Sequence, residues 1–188
     1  QSCAGKAFYS EFGALKDSGY TFPWPNLRVV QDHGVIEIMR GCPNGCRFCH
    51  AGVYYRPQRI ASIRKIISDA DFLVDKCGYR EISLMSLSSG DYPDIHTLMS
   101  TLTTRYKNKK VSFQLPSLKV NSFTLPLLET MSEVRKSGLT FAIETPVDAW
   151  QFSLNKEVYR EKIIDIILEA KKHAVSYTHL TLPTIYSV

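Results

Sequence analysis

The chain has 188 residues, 44% of them hydrophobic and 22% charged, which is the composition of an ordinary globular domain and excludes a disordered chain. Its formal net charge of +5 is modest, and no block of five or six consecutive Lys or Arg residues occurs, so an RNA partner is allowed but not indicated. The sequence contains no run of eighteen apolar residues, and its first residues lack the basic and apolar segments of a secretory leader. We therefore expect no membrane association and a cytoplasmic location.

The five cysteines are unevenly distributed. Cys42, Cys46 and Cys49 fall within eight residues, whereas Cys3 and Cys77 stand alone. An odd number of cysteines with three in one cluster argues against the disulfide framework of a secreted protein. The pattern indicates a metal site in a reducing compartment.

Short, apolar, β-rich runs alternate with longer runs of helical period from residue 35 onward. This alternation predicts an α/β fold with about four successive βα units around a parallel sheet, either open or an incomplete TIM-type barrel. In such folds, ligands bind at the carboxyl ends of the strands. The predicted strands are 35–39, 81–87, 111–115 and 139–143, and the predicted helices cover 63–77, a segment from about 94 through 102, 124–136 and a segment that includes 163–172.

Local signals support two of these helices. Ser62 is a predicted N-cap and Gly78 a predicted stop for the first of them. Cys77 falls on the apolar face of that helix, so we interpret it as a small core residue and not as a ligand. Pro126 lies in the first turn of helix 124–136, where proline is well tolerated.

Both ends of the chain differ from its middle. Residues 1–34 show no clear helical or strand period, so we interpret them as a linker or the end of a preceding region. Residues 35–174 form the predicted core. The run 175–188 resembles translated transposon-end adapter from a sequencing library, so we expect it to be a non-native tail and the natural protein to diverge near Ala174.

The segment Arg40–His50 has the spacing C-x3-C-x2-C directly after the first predicted strand. Three thiolates on a tight, glycine-containing loop can converge on one face of an iron–sulfur cube, for which thiolates are the usual ligands. A cube has four irons, so one iron is left without a cysteine. That iron is open to a substrate or cofactor.

Three other interpretations of the loop remain open. Cys46, Cys49 and His50 also match the C-x-x-C-H pattern of c-type haem attachment, which leaves Cys42 unexplained and requires export. A structural zinc site needs a fourth ligand, and His50 is awkwardly adjacent to Cys49. A redox dithiol of Cys46 and Cys49 leaves Cys42 without a role.

The loop resembles the hallmark of radical S-adenosylmethionine (SAM) enzymes, C-x3-C-x-aromatic-C, with Phe48 at the aromatic position. The segments EIMRGCPNGCRFCHAGVYYRP, SLSSGDYP, LPSLKVNSF, KSGLTFAIE and Asn155-Lys156 are similar, in order, to an uncharacterised branch of that superfamily associated with cobalamin domains. The methylthiotransferases look like more distant relatives. This resemblance covers about residues 27–173.

The resemblance implies a truncated (βα)6 barrel whose three cysteines, Cys42, Cys46 and Cys49, hold a 4Fe-4S cluster. It implies that the open iron binds SAM and that reductive cleavage yields a 5′-deoxyadenosyl radical, which acts on a substrate that the sequence does not identify, with methyl or methylthio transfer as a possible outcome. An electron donor such as flavodoxin or ferredoxin is implied as a partner. Cobalamin would come through a domain outside this chain, and the fragment alone is expected to show little turnover.

The resemblance also places residues around SAM. Phe48 would pack near the adenine. The turn Ser88, Ser89, Gly90 and Asp91 corresponds to the family's Gly-Gly-Glu, which holds the methionyl amine, and Glu144 would contact the ribose or methionine. The interpretations that compete with these roles are a simple turn before a helix for Asp91 and an exposed loop carboxylate for Glu144.

Two further groups of residues are predicted near the same mouth. Tyr54, Tyr55 and Arg56 follow the cysteine loop and either line the substrate side or only pack the loop. Gln114, Ser117 and Lys119, at the end of the third strand, are predicted to face the mouth. The rival function is a non-catalytic iron–sulfur or zinc binding module. Phe48 and the turn at Ser88–Asp91 favour the enzyme, because a purely structural metal site needs neither.

Overall fold

The computed structural model describes residues 6, 7, 10, 12, 27, 29, 30, 32–132, 139–172 and 178–181. Its strands are β1 (Gly34–Glu37), β2 (Met39–Arg40), β3 (Arg59–Ile60), β4 (Glu81–Met85), β5 (Ser112–Gln114), β6 (Leu139–Ala142) and β7 (Thr178–Thr181). Its α-helices are α1 (His50–Tyr54), α2 (Ile63–Asp71), α3 (Ile95–Tyr106), α4 (Leu125–Ser132), α5 (Asp148–Leu154) and α6 (Arg160–Lys172).

The strands of the predicted βα units are parallel. A three-stranded sheet has the order β1-β4-β5, with Gly34 opposite Ile82 and Glu37 opposite Met85. β6 pairs with β7, also in parallel, and a bridge between Leu118 and Phe141 connects the end of the β5 segment to β6. The predicted α/β fold with about four βα units is therefore confirmed.

The two faces of the sheet differ. Ile36, Ile82 and Leu84 point to the helices and are almost completely buried. Val35 and Met85 lie on the opposite face and are 43% and 42% exposed, beside a cavity of about 600 Å³ that extends to Gly41 and Leu87. This alternation has the two-residue period of a strand. It leaves open space at the strand ends where the cysteine loop begins.

The predicted strand 35–39 divides at Ile38, which corrects the prediction of one continuous strand. The backbone N–H of Ile38 donates to the carbonyl oxygen of Met85 in β4 (3.0 Å), whereas its own carbonyl accepts from Ala61 beyond β3 (2.9 Å). The chain therefore changes pairing partner at one fully buried residue. That change directs the following loop away from the sheet.

The first long helix has the predicted cap and stop. The hydroxyl of Ser62 accepts from the backbone N–H of Lys65 (3.3 Å), and Gly78 has φ = +76°. The predicted helix 63–77 is not α-helical throughout, because α2 ends at Asp71 and a π-helical turn, Phe72–Lys76, follows. Cys77 is buried, as predicted for a core residue, and burial raises the pKa of its thiol.

The remaining predicted helices are α3, α4 and α6. Pro126 lies in the first turn of α4, as predicted, while positions 133–136 of that prediction lie outside the described residues. Sequence periodicity missed α1, α5 and the pair β2–β3, which are all short. None of the helices in the described ranges has both the length and the apolar character needed to cross a bilayer.

β7 lies within the segment 175–188, whose predicted non-native origin stays a prediction. The pairing of β7 with β6 shows how residues 178–181 are folded, but it does not show where their sequence comes from. Positions 175–177 and 182–188 lie outside the described residues.

Candidate metal and cofactor site

The cysteine loop, residues 41–58, leaves and re-enters the fold through adjacent strands. β2 and β3 pair in antiparallel fashion, with Met39 opposite Ile60 and Arg40 opposite Arg59. The buried guanidinium of Arg59 donates to the carbonyl oxygens of Pro57 (3.1 Å) and Tyr55 (3.3 Å). Both ends of the loop are thus fixed to the same short ladder.

Gly41 begins the loop in a conformation that other residues rarely adopt. Its φ is +89°, and a Cβ at this position would lie 2.7 Å from the carbonyl oxygen of Tyr55. Both the dihedral angle and the lack of space require glycine here. The tight approach brings the two ends of the loop together just before Cys42.

Cys42, Cys46 and Cys49 are half-buried free thiols on this loop. The Sγ of Cys49 accepts from the backbone N–H of Gly52 (3.3 Å) at the start of α1, and the Sγ of Cys42 accepts from Asn44 Nδ2 (3.4 Å). Two of the three sulfurs thus accept hydrogen bonds from N–H groups, and such hydrogen bonds are among the features that tune the reduction potential of an iron–sulfur cluster.

Within the described ranges, no group of three or more His, Cys, Asp or Glu side chains is arranged to hold a single metal ion. A four-iron cube binds each thiolate through a different iron, so its ligands do not have to meet at one point. The donor set of three thiols therefore fits a cube.

The electrostatic surroundings of Cys46 contain opposing effects. Burial raises the pKa of its thiol, and the neighbouring Cys42 and Cys49 raise it further. The charges of Lys156 and Lys119 lower the pKa, but their effect is smaller, so the pKa is raised. The two lysines place positive charge beside the loop. Such charge offsets the negative charge that three metal-bound thiolates would bring.

The predicted amine-binding turn follows β4 and is a 3-10 turn, Ser89–Asp91, preceded by Ser88. The hydroxyl of Ser88 donates to Asp91 Oδ2 (2.6 Å). The hydroxyl of Ser89 is fully buried and donates to the carbonyl oxygen of Leu84 (3.1 Å), so it belongs to the fold. Only Asp91 of these residues presents a partly exposed side chain.

Gly90 packs against a neighbouring turn. A Cβ at Gly90 would lie 3.0 Å from Ser122 Oγ and 3.4 Å from Ser122 Cβ. The small size of Gly90 is therefore explained by contact with Ser122.

Asn44 connects the cysteine loop to this turn. Its Nδ2 donates to Asp91 Oδ2 and to Cys42 Sγ and lies 3.5 Å from Ser88 Oγ, while its Oδ1 accepts from Lys119 Nζ (2.8 Å). Parallel strands β1 and β4 end at the same edge of the sheet, which brings residues 47 positions apart into contact. The structure thus places the cysteine loop beside the turn at Ser88–Asp91.

The segment after α5 holds the other side of the loop. The backbone N–H of Arg47 donates to the carbonyl oxygen of Leu154 (3.0 Å), and its guanidinium donates to the carbonyl oxygens of Phe152 and Ser153. Asn155 Nδ2 donates to the carbonyl oxygen of Gly45 (2.9 Å). The positive charge of Arg47 is favourably placed, because the free carbonyls at a helix carboxyl end carry partial negative charge.

Glu144 does not occupy the exposed position of an ordinary loop carboxylate. It has φ = +64°, and its Oε1 lies 2.5 Å from Lys156 Nζ in an ion pair that is largely shielded from solvent. Lys156 Nζ also lies 5.9 Å from the ring centroid of Phe48. Phe48 is 52% exposed, so about half of this residue is accessible to a ligand.

The other predicted mouth residues divide into two groups. Lys119 reaches Asn44, the carbonyl oxygen of Ser117 accepts from the backbone N–H of Ser89 (2.7 Å), and Arg56 Nη2 lies 3.5 Å from the carbonyl oxygen of Asn44. The others make different contacts: Gln114 donates to Glu81, and Tyr54 stacks on His50 and contacts the ring of Tyr55 edge-on.

Sequence reasoning assigned no role to Asn44, Asn155 or Lys156. Asn155 and Lys156 were noted only as part of the resemblance. The available signal for Asn44 was its position, since it is the polar residue between two cysteines of a loop that must face the turn after β4. Cys3 lies outside the described residues.

Comparison with known proteins agrees with this fold. A family model described as the radical SAM superfamily matches residues 36–186. The chain belongs to the radical SAM superfamily.

Two curated relatives are similar in sequence. An uncharacterised protein of Methanocaldococcus jannaschii is 27% identical over 146 residues, which cover 78% of this chain and 31% of that protein. A tRNA-2-methylthio-N(6)-dimethylallyladenosine synthase of Phocaeicola vulgatus is 31% identical over 67 residues, or 35% of this chain and 14% of the synthase. The chain spans less than a third of either relative.

Solved structures share the fold at low identity. The radical SAM methyltransferase TsrM of Kitasatospora setae, with cobalamin and a [4Fe-4S] cluster bound, matches with a TM-score of 0.65 and 10% identity over 80% of this chain and 30% of its own. The same enzyme with tryptophan and aza-SAM, a SAM analogue, matches with a TM-score of 0.62 and 11% identity, over 78% of this chain and 29% of its own. These matches show that the described core has the radical SAM fold.

Proposed function

We propose that this chain forms the core of a radical SAM enzyme, in which Cys42, Cys46 and Cys49 hold a 4Fe-4S cluster and the space beside it binds SAM. One observation carries the proposal: the side chain of Asn44 contacts both Cys42 and Asp91. The metal-binding loop and the carboxylate of the adjacent turn therefore serve one site. A loop that only held a metal for stability would not need that connection.

When bound, a reduced cluster with one iron free of cysteine supplies an electron to SAM, whose cleavage gives methionine and a 5′-deoxyadenosyl radical. The residues of the chain bind and orient the cofactor. The carboxylate of Asp91 can receive the methionyl ammonium in a charge-assisted hydrogen bond, with its Oδ2 already oriented by Ser88 and Asn44. Because the hydroxyls of Ser88 and Ser89 are used within the fold and Gly90 has no side chain, we propose that these three residues contact SAM through their backbone.

Phe48 and Glu144 serve the other half of SAM in this proposal. The exposed face of Phe48 offers a flat surface on which adenine can stack. Glu144, oriented by Lys156, can accept a hydrogen bond from the ribose hydroxyls or the methionyl amine. Both residues contact Lys156, which positions them relative to each other.

The cavity beside Val35, Met85 and Leu87 is the place we propose for the substrate. It is mostly apolar and begins at Gly41, next to the cysteine loop. Apolar walls exclude water from a reactive intermediate. The similarity to a methyltransferase and to a methylthio-forming synthase makes methyl or methylthio transfer the outcome that we propose for the whole protein.

The proposal requires an electron donor and a cobalamin domain that are not part of this chain. The electron for the cluster would come from a small donor protein such as flavodoxin or ferredoxin. Cobalamin, which is bound in the structure of TsrM, would be contributed by a domain outside this chain.

The full-length protein, expressed and reconstituted without oxygen, provides the test. We expect an electron paramagnetic resonance (EPR) signal from the reduced cluster, a change in that signal on addition of SAM, and formation of 5′-deoxyadenosine. A preparation with a full complement of iron that shows neither response to SAM would overturn the proposal. That result would leave the non-catalytic iron–sulfur module as the better description.

A further inference from the structure

The side-chain amide of Asn44 is hydrogen-bonded on both of its atoms. Nδ2 donates to the carboxylate of Asp91 and to Cys42 Sγ (3.4 Å), and Oδ1 accepts from the ammonium of Lys119 (2.8 Å). These partners come from the cysteine loop, the turn after β4 and the loop after β5. Asn44 is therefore the residue at which three separate parts of the site meet.

The charges of the partners fix the orientation of the amide. If its oxygen and nitrogen were exchanged, the oxygen would face the Asp91 carboxylate and the NH2 group would face the Lys119 ammonium, and both contacts would be repulsive. The observed orientation also polarises the amide, because a cation at its oxygen makes its N–H groups stronger donors. The first effect keeps the NH2 group facing Cys42 and Asp91, and the second makes its N–H groups stronger donors to them.

We propose that Asn44 is a positioning residue that links the reduction potential of the cluster to occupancy of the Asp91 carboxylate. The inference rests on the proposed function. An N–H donor to a cluster thiolate stabilises the more negative, reduced state, and so raises the reduction potential. Asn44 supplies such a donor to Cys42 from the same NH2 group that binds Asp91.

Competition at Asp91 provides the link. A methionyl ammonium bound to Asp91 competes with Asn44 for the carboxylate, because an ammonium is a stronger partner than a neutral amide. The hydrogen bond from Nδ2 to Cys42 is then strengthened. Binding of SAM therefore makes the cluster easier to reduce, so that the electron arrives preferentially when the cofactor is in place.

The test is a redox titration of the reconstituted full-length protein, followed by EPR, with and without SAM. We expect the wild-type potential to rise when SAM is added. Asn44→Ala should have a lower potential than the wild type without SAM and a clearly smaller shift on its addition. Asn155→Ala is the matched control, since Asn155 also binds the cysteine loop, at the carbonyl oxygen of Gly45, but contacts neither a thiol nor Asp91. Because the loop of this variant is looser, its potential itself can differ from that of the wild type, but its shift on addition of SAM should equal the wild-type shift.

An unchanged potential in Asn44→Ala, together with an undiminished shift on addition of SAM, would overturn the inference. If Asn44→Ala does not retain a cluster, Asn44→Asp takes its place, because it preserves the size of the side chain but offers no N–H to Cys42. The readout is then the shift caused by SAM, which should be clearly smaller than in the wild type. Failure of the proposed function looks different, because the wild type itself would then lack the cluster signal or its response to SAM.

Discussion

Asn155 donates a hydrogen bond from its side-chain amide to the backbone carbonyl oxygen of Gly45, 2.9 Å away and 110 positions earlier in the sequence. Asn155 follows α5 with φ = +53°, a left-handed conformation that asparagine tolerates better than most residues. The backbone bond from Arg47 to Leu154 lies beside it. The end of α5 therefore holds the middle of the cysteine loop.

Replacement of Asn155 by Ala should loosen that loop. The loss of one hydrogen bond costs about 1 kcal/mol, which corresponds to roughly five-fold more frequent local opening. Hydrogen–deuterium exchange should become faster in a peptide that covers residues 43–49 and stay unchanged in β4. Asn108→Ala, in the exposed 3-10 turn Lys107–Lys109, is the control. Equal exchange in the loop of both variants would show that Asn155 does not restrain it.

Gly41→Ala should destabilise the protein much more than Gly78→Ala. Both glycines have positive φ, at +89° and +76°, so an alanine at either position carries a backbone penalty of about 1–2 kcal/mol. Only at Gly41 would the new Cβ also collide, 2.7 Å from the carbonyl oxygen of Tyr55, whereas Gly78 has nothing within 4 Å. Urea unfolding and iron content after reconstitution measure the difference. Similar losses of stability and iron content in both variants would show that the collision at Gly41 is not the cause.

Cys42→Ala, Cys46→Ala and Cys49→Ala should each abolish cluster loading and SAM cleavage together. Cys77→Ala should retain both, because Cys77 is buried beyond α2 and takes no part in the site. Its cost should be limited to about 1 kcal/mol of stability. Iron and sulfide content and 5′-deoxyadenosine formation give the readout. Covalently bound haem in the wild type that persists in Cys42→Ala would instead favour the haem interpretation.

Tyr106→Phe should lower stability in a pH-dependent way. The hydroxyl of Tyr106 donates to Asp71 Oδ1 (2.6 Å). Burial raises the pKa of Asp71, but hydrogen bonds from Arg105 and Tyr106 outweigh it, so the pKa of Asp71 is lowered on folding. A lowered carboxyl pKa contributes stability above the unfolded value of about 4, and this contribution is lost as the pH falls through the folded value.

We therefore expect Tyr106→Phe to cost about 1–2 kcal/mol at pH 7, as is typical for a hydrogen bond to a charged group. The difference in free energy of unfolding between Tyr106→Phe and the wild type should become smaller below about pH 4. Urea unfolding of the cluster-free protein, followed by circular dichroism from pH 7 to pH 3, measures this dependence. A difference that stays constant over that range would show that the lost bond does not involve the ionised carboxylate.

The longer helices and the parallel strands were predictable because their apolar residues follow a recognisable pattern along the sequence. The helices α2, α3 and α6 repeat apolar residues at three and four positions, and the parallel strands are short apolar runs. A helix of five residues such as α1 and strands of two residues such as β2 and β3 are too short to show a period. The π turn Phe72–Lys76 keeps the apolar pattern of a helix and is not distinguishable from α2 by spacing.

The candidate site was predictable only in its local part. The three cysteines and the turn at Ser88–Asp91 are short motifs placed after strands. Asn44 acquires its partners from positions 91 and 119, and Asn155 from position 45, so their roles depend on contacts that only the folded chain creates. The pairing of Glu144 with Lys156 likewise requires the chain to turn back after α5.

The change of pairing partner at Ile38 has a mechanical consequence. Its two backbone hydrogen bonds join the carboxyl end of β4 to the residue that follows β3. A force that pulls the cysteine loop outward is therefore transmitted through one residue, Ile38, to the strand that precedes the turn at Ser88–Asp91. The two halves of the site should shift as a single unit, with their spacing preserved even when the outer part of the loop deforms.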